Sequence, residues 1–315
     1  MDTRKIGSLD VSVVGLGCNN FGRRLDEAAT KGVIDGALAA GVTFLDTADI
    51  YGDGLSETFL GGALRGRRDE FVLATKFGMV AKEGTGIVGG ARPEYVRTAL
   101  EASLRRLHTD RVDLYQLHRP DPDVPIADTL GALAEAVEDG LVREIGCSNF
   151  TAAQLAEAES AAAQHGWPRF VSVQNEYSML HREPEAEVLP ACARLGVAFL
   201  PFFPLFSGIL TGKYRKGRPM PQGTRVTGTQ RWEQHLTPEL FDLIEELVAF
   251  SAERGKELVD LAFAWLLADQ NVASVIAGAT SAAQVERNAR TAAWRLSGTE
   301  REAVDALLSA HGFTP

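Results

Sequence analysis

Short apolar runs alternate with longer amphipathic segments along almost the whole chain. The short runs are rich in β-branched and apolar residues, which is typical of buried strands. They are 12–17, 42–46, 71–76, 112–118, 143–147, 171–175, 197–203 and 272–277. The longer segments repeat apolar residues at helical spacing. They are 26–40, 55–65, 93–107, 127–139, 151–164, 185–195, 238–254 and 281–293.

Eight strand-plus-helix units in a row predict an α/β fold, a (β/α)₈ TIM barrel. Two more amphipathic segments, 257–268 and 299–309, fall outside the alternation and predict two additional helices. No composition break or linker divides the chain, so we expect one barrel domain over 1–315. The competing doubly wound sheet would need a dinucleotide fingerprint at its first strand. Gly15-Leu16-Gly17 begins like one, but Asn20 stands where Gly or Ala is required.

Composition and charge narrow the class of protein. The chain carries 42 Asp and Glu against 32 Lys and Arg, a formal net charge of −10, which disfavours a nucleic-acid partner. The N-terminal segment lacks the apolar core of a signal peptide, and no apolar run is long enough to span a membrane. Three widely spaced cysteines, Cys18, Cys147 and Cys192, indicate a reducing compartment. We therefore expect a cytoplasmic protein with no membrane partner, and its oligomeric state stays open.

Four chemically active side chains follow three successive predicted strands. They are Asp46, Tyr51, Lys76 and His118, and in a barrel the carboxyl ends of the strands line one site. Lys76 could favour the phenolate of Tyr51, Asp46 could hold Lys76 charged, and a neutral His118 could donate a hydrogen bond to a carbonyl oxygen. Together they could protonate an oxygen while a hydride reaches its carbon. Each also has an ordinary structural interpretation, and their joint placement favours the catalytic one. The histidines have no metal-ligand spacing, so we expect no metal site.

The segments that carry these residues resemble a known family, the aldo-keto reductases. They read FLDTADIYG at 44–52, LATK at 73–76, DLYQLH at 113–118 and IGCSNF at 145–150. The resemblance implies a (β/α)₈ barrel that binds extended NADPH and reduces aldehydes or ketones. It also implies roles: Tyr51 as the general acid, Lys76 and Asp46 tuning it, and His118 orienting the carbonyl.

By the same resemblance, residues on later strands and loops would hold the cofactor. They are Ser148, Asn149 and Gln174 at the nicotinamide carboxamide, Phe202 stacked on the ring, Phe203, Leu205, Ser207 and Gly208 at the phosphates, and Gln284 and Asn288 at the adenosine. Phe202 stands where Tyr is common and keeps an aromatic face.

The resemblance favours NADPH (NADP⁺) over NADH, since Lys213 and Arg225 match residues that contact a 2′-phosphate. The 45 residues from Val188 to Trp232 contain no Asp or Glu and include both of these cations. An acid-free, basic segment suits a small anionic cofactor. A solvated basic loop is the plainer interpretation of the same segment.

The expected substrate is a small aldehyde, ketone or sugar, and its identity depends on loops such as 78–92 and 206–236. Two other functions stay open. One is a cofactor-sensing accessory subunit resembling potassium channel β subunits, and the other is an NAD-linked sugar or alcohol dehydrogenase. The presence of all four catalytic residue types favours the carbonyl reductase.

Overall fold

The computed structural model describes residues 1–79, 89–224, 226–227 and 233–315, and it contains all eight predicted strands. Two short strands precede them. In chain order the strands are β1 (Thr3–Ile6), β2 (Leu9–Ser12), β3 (Val14–Gly17), β4 (Phe44–Asp46), β5 (Val72–Phe77), β6 (Val112–Leu117), β7 (Val142–Ser148), β8 (Phe170–Glu176), β9 (Ala198–Phe202) and β10 (Val275–Gly278). The last eight are the predicted barrel strands.

These eight strands form one parallel sheet that nearly closes on itself. The strand order is β10-β3-β4-β5-β6-β7-β8-β9, and every neighbouring pair is parallel. The first and last strands of this order meet through a bridge between Phe199 and Val272, where the Phe199 amide donates to Asn271 O at 2.7 Å. The predicted (β/α)₈ barrel is therefore confirmed.

A β-hairpin, which we did not predict, covers the amino-terminal end of the barrel. Strands β1 and β2 pair antiparallel, with Ile6 opposite Leu9 across a turn in which Gly7 has a φ of 55°. Ile6, Leu9 and Val11 are at most 1% exposed. They form one apolar cluster with inward-facing barrel residues such as Phe44 and Leu114. The hairpin thus forms a floor at the end of the barrel away from the carboxyl ends of its strands.

Helices surround the sheet close to their predicted positions. They are α1 (Glu27–Ala39), α2 (Leu55–Ala63), α3 (Pro93–Leu107), α4 (Ile126–Glu138), α5 (Ala152–His165), α6 (Val188–Leu195), α7 (Pro238–Ala252), α8 (Leu258–Leu267), α9 (Ala282–Thr291) and α10 (Gly298–Ala310). None of the described helices is long and apolar enough to cross a membrane.

The two additional helices are present, but one of them is not the one that we expected. The sequence pattern places the predicted helix 238–254 in the seventh strand-plus-helix unit and the predicted helix 257–268 outside the alternation. In the structure α8 packs against β10 and α9, whereas α7 packs outside it, on α8 and α10. The physical reason is burial: apart from Asp260, every residue of α8 is buried, while α7 buries only one face. The additional helices are therefore α7 and α10.

Candidate active site

The carboxyl ends of β4, β5 and β6 bring the four sequence-predicted catalytic side chains together. The Lys76 Nζ atom donates to Asp46 Oδ2 at 2.7 Å and to Thr47 O at 2.9 Å. It lies 3.4 Å from the Tyr51 hydroxyl. The rings of Tyr51 and His118 meet edge to face, with centroids 6.1 Å apart. All four groups therefore belong to one cluster, which we call the tetrad.

Two glutamine side chains hold the carboxylate of Asp46. Gln116 Nε2 and Gln174 Nε2 donate to Asp46 Oδ1 at 3.2 and 2.9 Å, while Oδ2 accepts from Lys76. Both carboxylate oxygens are therefore satisfied inside the barrel, as a buried charge requires. We did not predict Gln116, although its spacing provided a signal: side chains alternate along a strand, and it lies two residues before His118.

The turn that carries Tyr51 depends on a glycine. Gly52 has a φ of 60°, and a Cβ atom there would lie 2.9 Å from Phe21 O and 3.2 Å from Gly22 Cα. Only glycine combines that conformation with such a close approach. The loop after β3 consequently packs on the turn and fixes the direction of the Tyr51 side chain.

Lys76 and Tyr51 differ in the charge state that the site favours: Lys76 is charged and Tyr51 is neutral. Burial alone would lower the pKa of Lys76, but Asp46 and Tyr51 outweigh it and leave the pKa above its ordinary value. Burial raises the pKa of Tyr51, and the charge of Lys76, which favours the phenolate, offsets this only in part. At neutral pH the pair is an ammonium beside an intact phenol, which keeps its proton available for transfer.

His118 is a neutral imidazole. Burial, with the charges of Lys76 and Arg119, lowers its pKa to about 3. Its Nδ1 atom is buried and has no hydrogen-bond partner among the described residues. A neutral histidine can donate one hydrogen bond without carrying charge, so His118 can polarise or position a ligand oxygen beside the Tyr51 hydroxyl.

A single cavity of about 1110 Å³ extends from the tetrad across the top of the barrel. Asp46, Tyr51 and His118 line it, and Lys76, 0% exposed, lies beneath them. The described residues predicted to hold the cofactor all line the same cavity. These are Ser148, Asn149, Gln174, Phe202, Phe203, Leu205, Ser207, Gly208, Lys213, Gln284 and Asn288. Arg225 lies outside the described residues.

Amide and hydroxyl groups after β7 form the wall next to His118. Asn149 Nδ2 donates to His118 O at 2.9 Å and to Ser148 Oγ at 3.0 Å, and Ser148 Oγ donates to the backbone oxygen of Gln174 at 2.7 Å. Asn149 has a φ of 62°, in the left-handed region that asparagine adopts more readily than most residues other than glycine. A capping box between Thr151 and Gln154 starts α5 directly afterwards and fixes this turn. The result is a rigid polar wall at the depth of the catalytic groups.

The loop after β9 has the backbone of a binding loop. Phe203 and Ser207 have positive φ values of 51° and 56°, and Gly208 follows at 95°. Left-handed non-glycine residues are strained and concentrate at ligand sites. Ser207 lines the cavity, and its hydroxyl is buried without a partner among the described residues. An unpaired hydroxyl on such a turn fits the phosphates of a dinucleotide, which would accept its hydrogen bond.

The start of α9 closes the far end of the cavity and adds a cation that we did not predict. Gln284 Oε1 accepts hydrogen bonds from the Thr280 amide and hydroxyl at 2.7 and 3.1 Å. Arg287 lines the cavity one helical turn further on, between Gln284 and Asn288, and is exposed. Residues 284, 287 and 288 share a helix face by spacing, so the sequence contained the signal. Arg287 thus adds a positive charge to this part of the cavity, and Lys213 is a second cation in the lining.

The described residues contain no group of three or more His, Cys, Asp or Glu side chains placed to hold a metal ion. The side chains at the site supply a proton-holding phenol, its ammonium and carboxylate partners, and a neutral imidazole, beside a large cavity. This arrangement can transfer a proton to an oxygen atom held between Tyr51 and His118.

Comparison with known proteins gives consistent matches over the whole chain. The model of the aldo/keto reductase family matches residues 13–309. The structure is similar to the glycerol dehydrogenase AKR11B4 from Gluconobacter oxydans, with a TM-score of 0.87, 27% identity, and coverage of 100% of this chain and 97% of that one. It is also similar to the holo form of the aldo-keto reductase AKR11C1 from Bacillus halodurans, with a TM-score of 0.77, 33% identity, and coverage of 98% and 96%.

Proposed function

The chain belongs to the aldo/keto reductase family, whose members are nicotinamide-dependent oxidoreductases of carbonyl compounds, and we propose that it reduces aldehydes or ketones to alcohols with NADPH. The observation that carries the proposal is the 3.4 Å approach of Lys76 Nζ to a buried Tyr51 hydroxyl that lines the cavity beside His118. Tyr51 is the proton donor, and the other three tetrad residues set its charge state and the position of the substrate.

The proton moves from the Tyr51 hydroxyl to the substrate oxygen. Burial keeps the phenol protonated, and the ammonium of Lys76 stabilises the phenolate that remains after transfer. Asp46, held by Gln116 and Gln174, keeps Lys76 charged and in place. His118 donates a hydrogen bond to the same substrate oxygen and aligns it with Tyr51.

A nicotinamide cofactor, when bound, supplies the hydride to the carbonyl carbon. The wall formed by Ser148, Asn149 and Gln174 would bind its carboxamide, and Phe202 offers an aromatic face for the ring. The loop with Ser207 and Gly208 would bind the phosphates. These side chains lie along one cavity with Tyr51, so they would set the ring against the carbonyl.

We assign the preference for NADPH to Lys213 and Arg287. A 2′-phosphate carries a dense negative charge, and guanidinium and ammonium groups are its usual partners. Both cations line the cavity: Arg287 lies on the helix face of Gln284 and Asn288 and has no ion pair with a described residue, and Lys213 lies beside Gly208. Arg287 therefore takes a place beside Lys213 in the assignment of the 2′-phosphate site.

Replacing the proton donor tests the function. Tyr51→Phe is expected to lower kcat for NADPH-dependent reduction of a panel of aldehydes and ketones by about 10²–10⁴-fold, the usual contribution of a general acid. Its NADPH dissociation constant, measured by fluorescence quenching, should stay within about twofold of wild type. Tyr115→Phe is the matched control, because that phenol is fully buried outside the cavity lining and its loss should leave kcat unchanged. An unchanged kcat in Tyr51→Phe would refute the assignment.

Oxidation of a polyol is the second candidate, supported by the 27% identity with a glycerol dehydrogenase. The same groups would run in reverse, with the Tyr51 phenolate as the base that accepts the alcohol proton. Because the pKa of Tyr51 is raised, the phenol that reduction needs predominates at neutral pH. The phenolate that oxidation needs is scarce below that pKa, so oxidation should require alkaline pH. Comparing glycerol and sugar alcohols with their aldehydes over a range of pH separates the two directions.

A further inference from the structure

We propose that the carbonyl substrate carries a terminal oxyanion, a carboxylate or a phosphate, which the guanidinium groups of Arg24 and Arg119 bind at the rim of the cavity. This inference rests on the proposed carbonyl reduction and adds a class of substrate to it. Both side chains are exposed and both line the cavity. Neither guanidinium has a hydrogen bond or an ion pair within the part of the chain that the structure describes.

Arg119 is fixed next to the tetrad by its place in the chain. It follows His118 directly, and the His118 amide donates to Phe77 O at 2.7 Å, which fastens this point of the loop to β5. Its charge is one of the causes that lower the pKa of His118, so it acts on the catalytic groups electrostatically. Asp121, the nearest acid along the chain, accepts from the amides of Ala91 and Asp123 and is engaged elsewhere.

Arg24 is fixed on the other side of the tetrad by the loop after β3. The Arg24 amide donates to Asn20 O at 2.8 Å, and the Gly22 amide donates to Leu25 O at 3.0 Å, which closes a tight turn. The same loop packs against Gly52, the residue after Tyr51. The guanidinium of Arg24 therefore projects from a fixed turn that touches the turn of the proton donor.

On the tetrad side of the cavity, Asp46 is the one acidic residue among the described lining residues. Strands β3 and β6, which lead to Arg24 and Arg119, flank β4 and β5, which carry the rest of the tetrad. The other acidic lining residues lie on the opposite half, which also carries Lys213 and Arg287: Glu176 ends β8, and Glu183 and Glu187 follow it. On the tetrad side, Lys76 is neutralised by Asp46. The two rim arginines are thus the uncompensated charges that a substrate meets among the described residues there.

A guanidinium has five N–H donors and no acceptor, and its planar fork matches a carboxylate or a phosphate in two parallel hydrogen bonds. Two such groups on either side of a carbonyl-binding site favour a substrate with its reacting carbonyl at Tyr51 and its oxyanion at the rim. With a neutral aldehyde, both guanidinium groups would stay hydrated and would contribute nothing to binding of the substrate.

Matched pairs of substrates test the inference in the NADPH-loaded enzyme. The carboxylate arm compares 4-carboxybenzaldehyde with its neutral methyl ester, and the phosphate arm compares D-glyceraldehyde 3-phosphate with D-glyceraldehyde. We expect kcat/KM to be at least about tenfold higher for the charged member of one pair, from two exposed charge contacts that salt can screen. The pair that shows the preference identifies the oxyanion.

The double variant Arg24→Gln/Arg119→Gln should bring that ratio close to one and leave kcat/KM for the neutral member unchanged. Arg105→Gln, an exposed arginine outside the cavity lining, is the control and should keep the wild-type ratio. Calorimetry on NADP⁺-loaded Tyr51→Phe gives a second readout: binding of 4-carboxybenzaldehyde or of D-glyceraldehyde 3-phosphate should weaken when both arginines are replaced.

Equal kcat/KM within both pairs, or a preference that survives the double substitution, would overturn the inference and leave the proposed reductase activity standing. Failure of the proposed reductase activity would give a different experimental result. In that case all four compounds leave NADPH unoxidised in wild type, and both proposals fall.

Discussion

Asp49 is a buried carboxyl group three residues along the chain from Asp46, and the tetrad does not use it. Its amide donates to Lys76 O at 3.1 Å, and its Oδ1 atom has no hydrogen-bond partner among the described residues. Burial, followed by the nearby charge of Glu57, raises its pKa to about 7. Because the folded-state pKa lies above the unfolded one, the stabilisation is complete below the unfolded pKa and is lost as the pH rises through about 7.

Asp49→Asn should therefore flatten the pH dependence of stability. Between pH 5 and pH 8 the ionisation of Asp49 is expected to cost the wild type about 2 kcal/mol of unfolding free energy, a cost that the amide cannot incur. Urea unfolding of both proteins at the two pH values measures it. Asp110→Asn, an exposed acid, is the control. An identical pH dependence in Asp49→Asn and wild type would mean that Asp49 is ionised throughout this range.

The residues of the site differ in how far the sequence could predict them. The tetrad was accessible because each member follows an apolar strand, where a polar group needs a reason to be present. Arg24 and Arg119 could not be predicted, since exposed arginines are common and chain position alone does not show which of them face a cavity. The direction of the Tyr51 pKa could not be predicted either, because the opposing effects of burial and of Lys76 can be weighed only when the depth of the hydroxyl is known.

At the scale of elements, the hairpin of β1 and β2 separates stability from catalysis. Leu9 is 1% exposed and packs into the floor of the barrel, whereas the tetrad lies at the carboxyl ends of the strands. A change in the floor should therefore affect folding without reaching the site.

Leu9→Ala should lower the free energy of unfolding by about 2–5 kcal/mol, the usual effect of removing a buried leucine side chain. Its kcat/KM at 25 °C should remain within about twofold of wild type. Thr3→Ala, on the same hairpin but exposed, should change neither quantity. Denaturant titration and steady-state kinetics provide the comparison. A large loss of kcat/KM in soluble, folded Leu9→Ala would show that the floor and the site are coupled.

Periodicity predicted every barrel strand, and its two failures have clear physical causes. The alternation around Ile6-Gly7-Ser8-Leu9 is a hairpin pattern with a two-residue turn, but each strand has only four residues, too few to stand out. For α7 and α8, helical spacing shows that a helix exists and not which layer it occupies. The nearly complete burial of α8 is the property that places it in the ring, and its all-round apolar sequence was the available signal.

At the scale of the whole molecule, the net charge of −10 conceals two cations that line the cavity, Lys213 and Arg287. An anionic cofactor would therefore be attracted by these two side chains, although the net negative charge of the protein repels it. The binding free energy of such a cofactor adds directly to the stability of any unit that must be folded to bind it.

Thermal unfolding with each cofactor should show this linkage and test the expectation of one domain over 1–315. We expect one transition that moves as a unit, with stabilisation approaching about 2.7 kcal/mol at a hundredfold excess over the dissociation constant. NADPH should raise Tm more than NADH at equal concentration, and Lys213→Ala or Arg287→Ala should narrow that gap. Arg290→Ala, exposed on the same helix, should preserve it. Two transitions, with only one shifted by cofactor, would contradict a single domain.

The floor that the hairpin forms also has a kinetic consequence. Ile6, Leu9 and Val11 fill the lower end of the barrel, and among the described residues the cavity beside the tetrad lies at the carboxyl ends of the strands. The proposed carboxamide wall is buried at the depth of His118, whereas Arg24 and Arg119 stand at the rim. A substrate bound at that rim would block access to the carboxamide wall. If the proposed function holds, the cofactor would have to arrive first and depart last, so turnover would follow a compulsory order, with escape of the oxidised cofactor its final step.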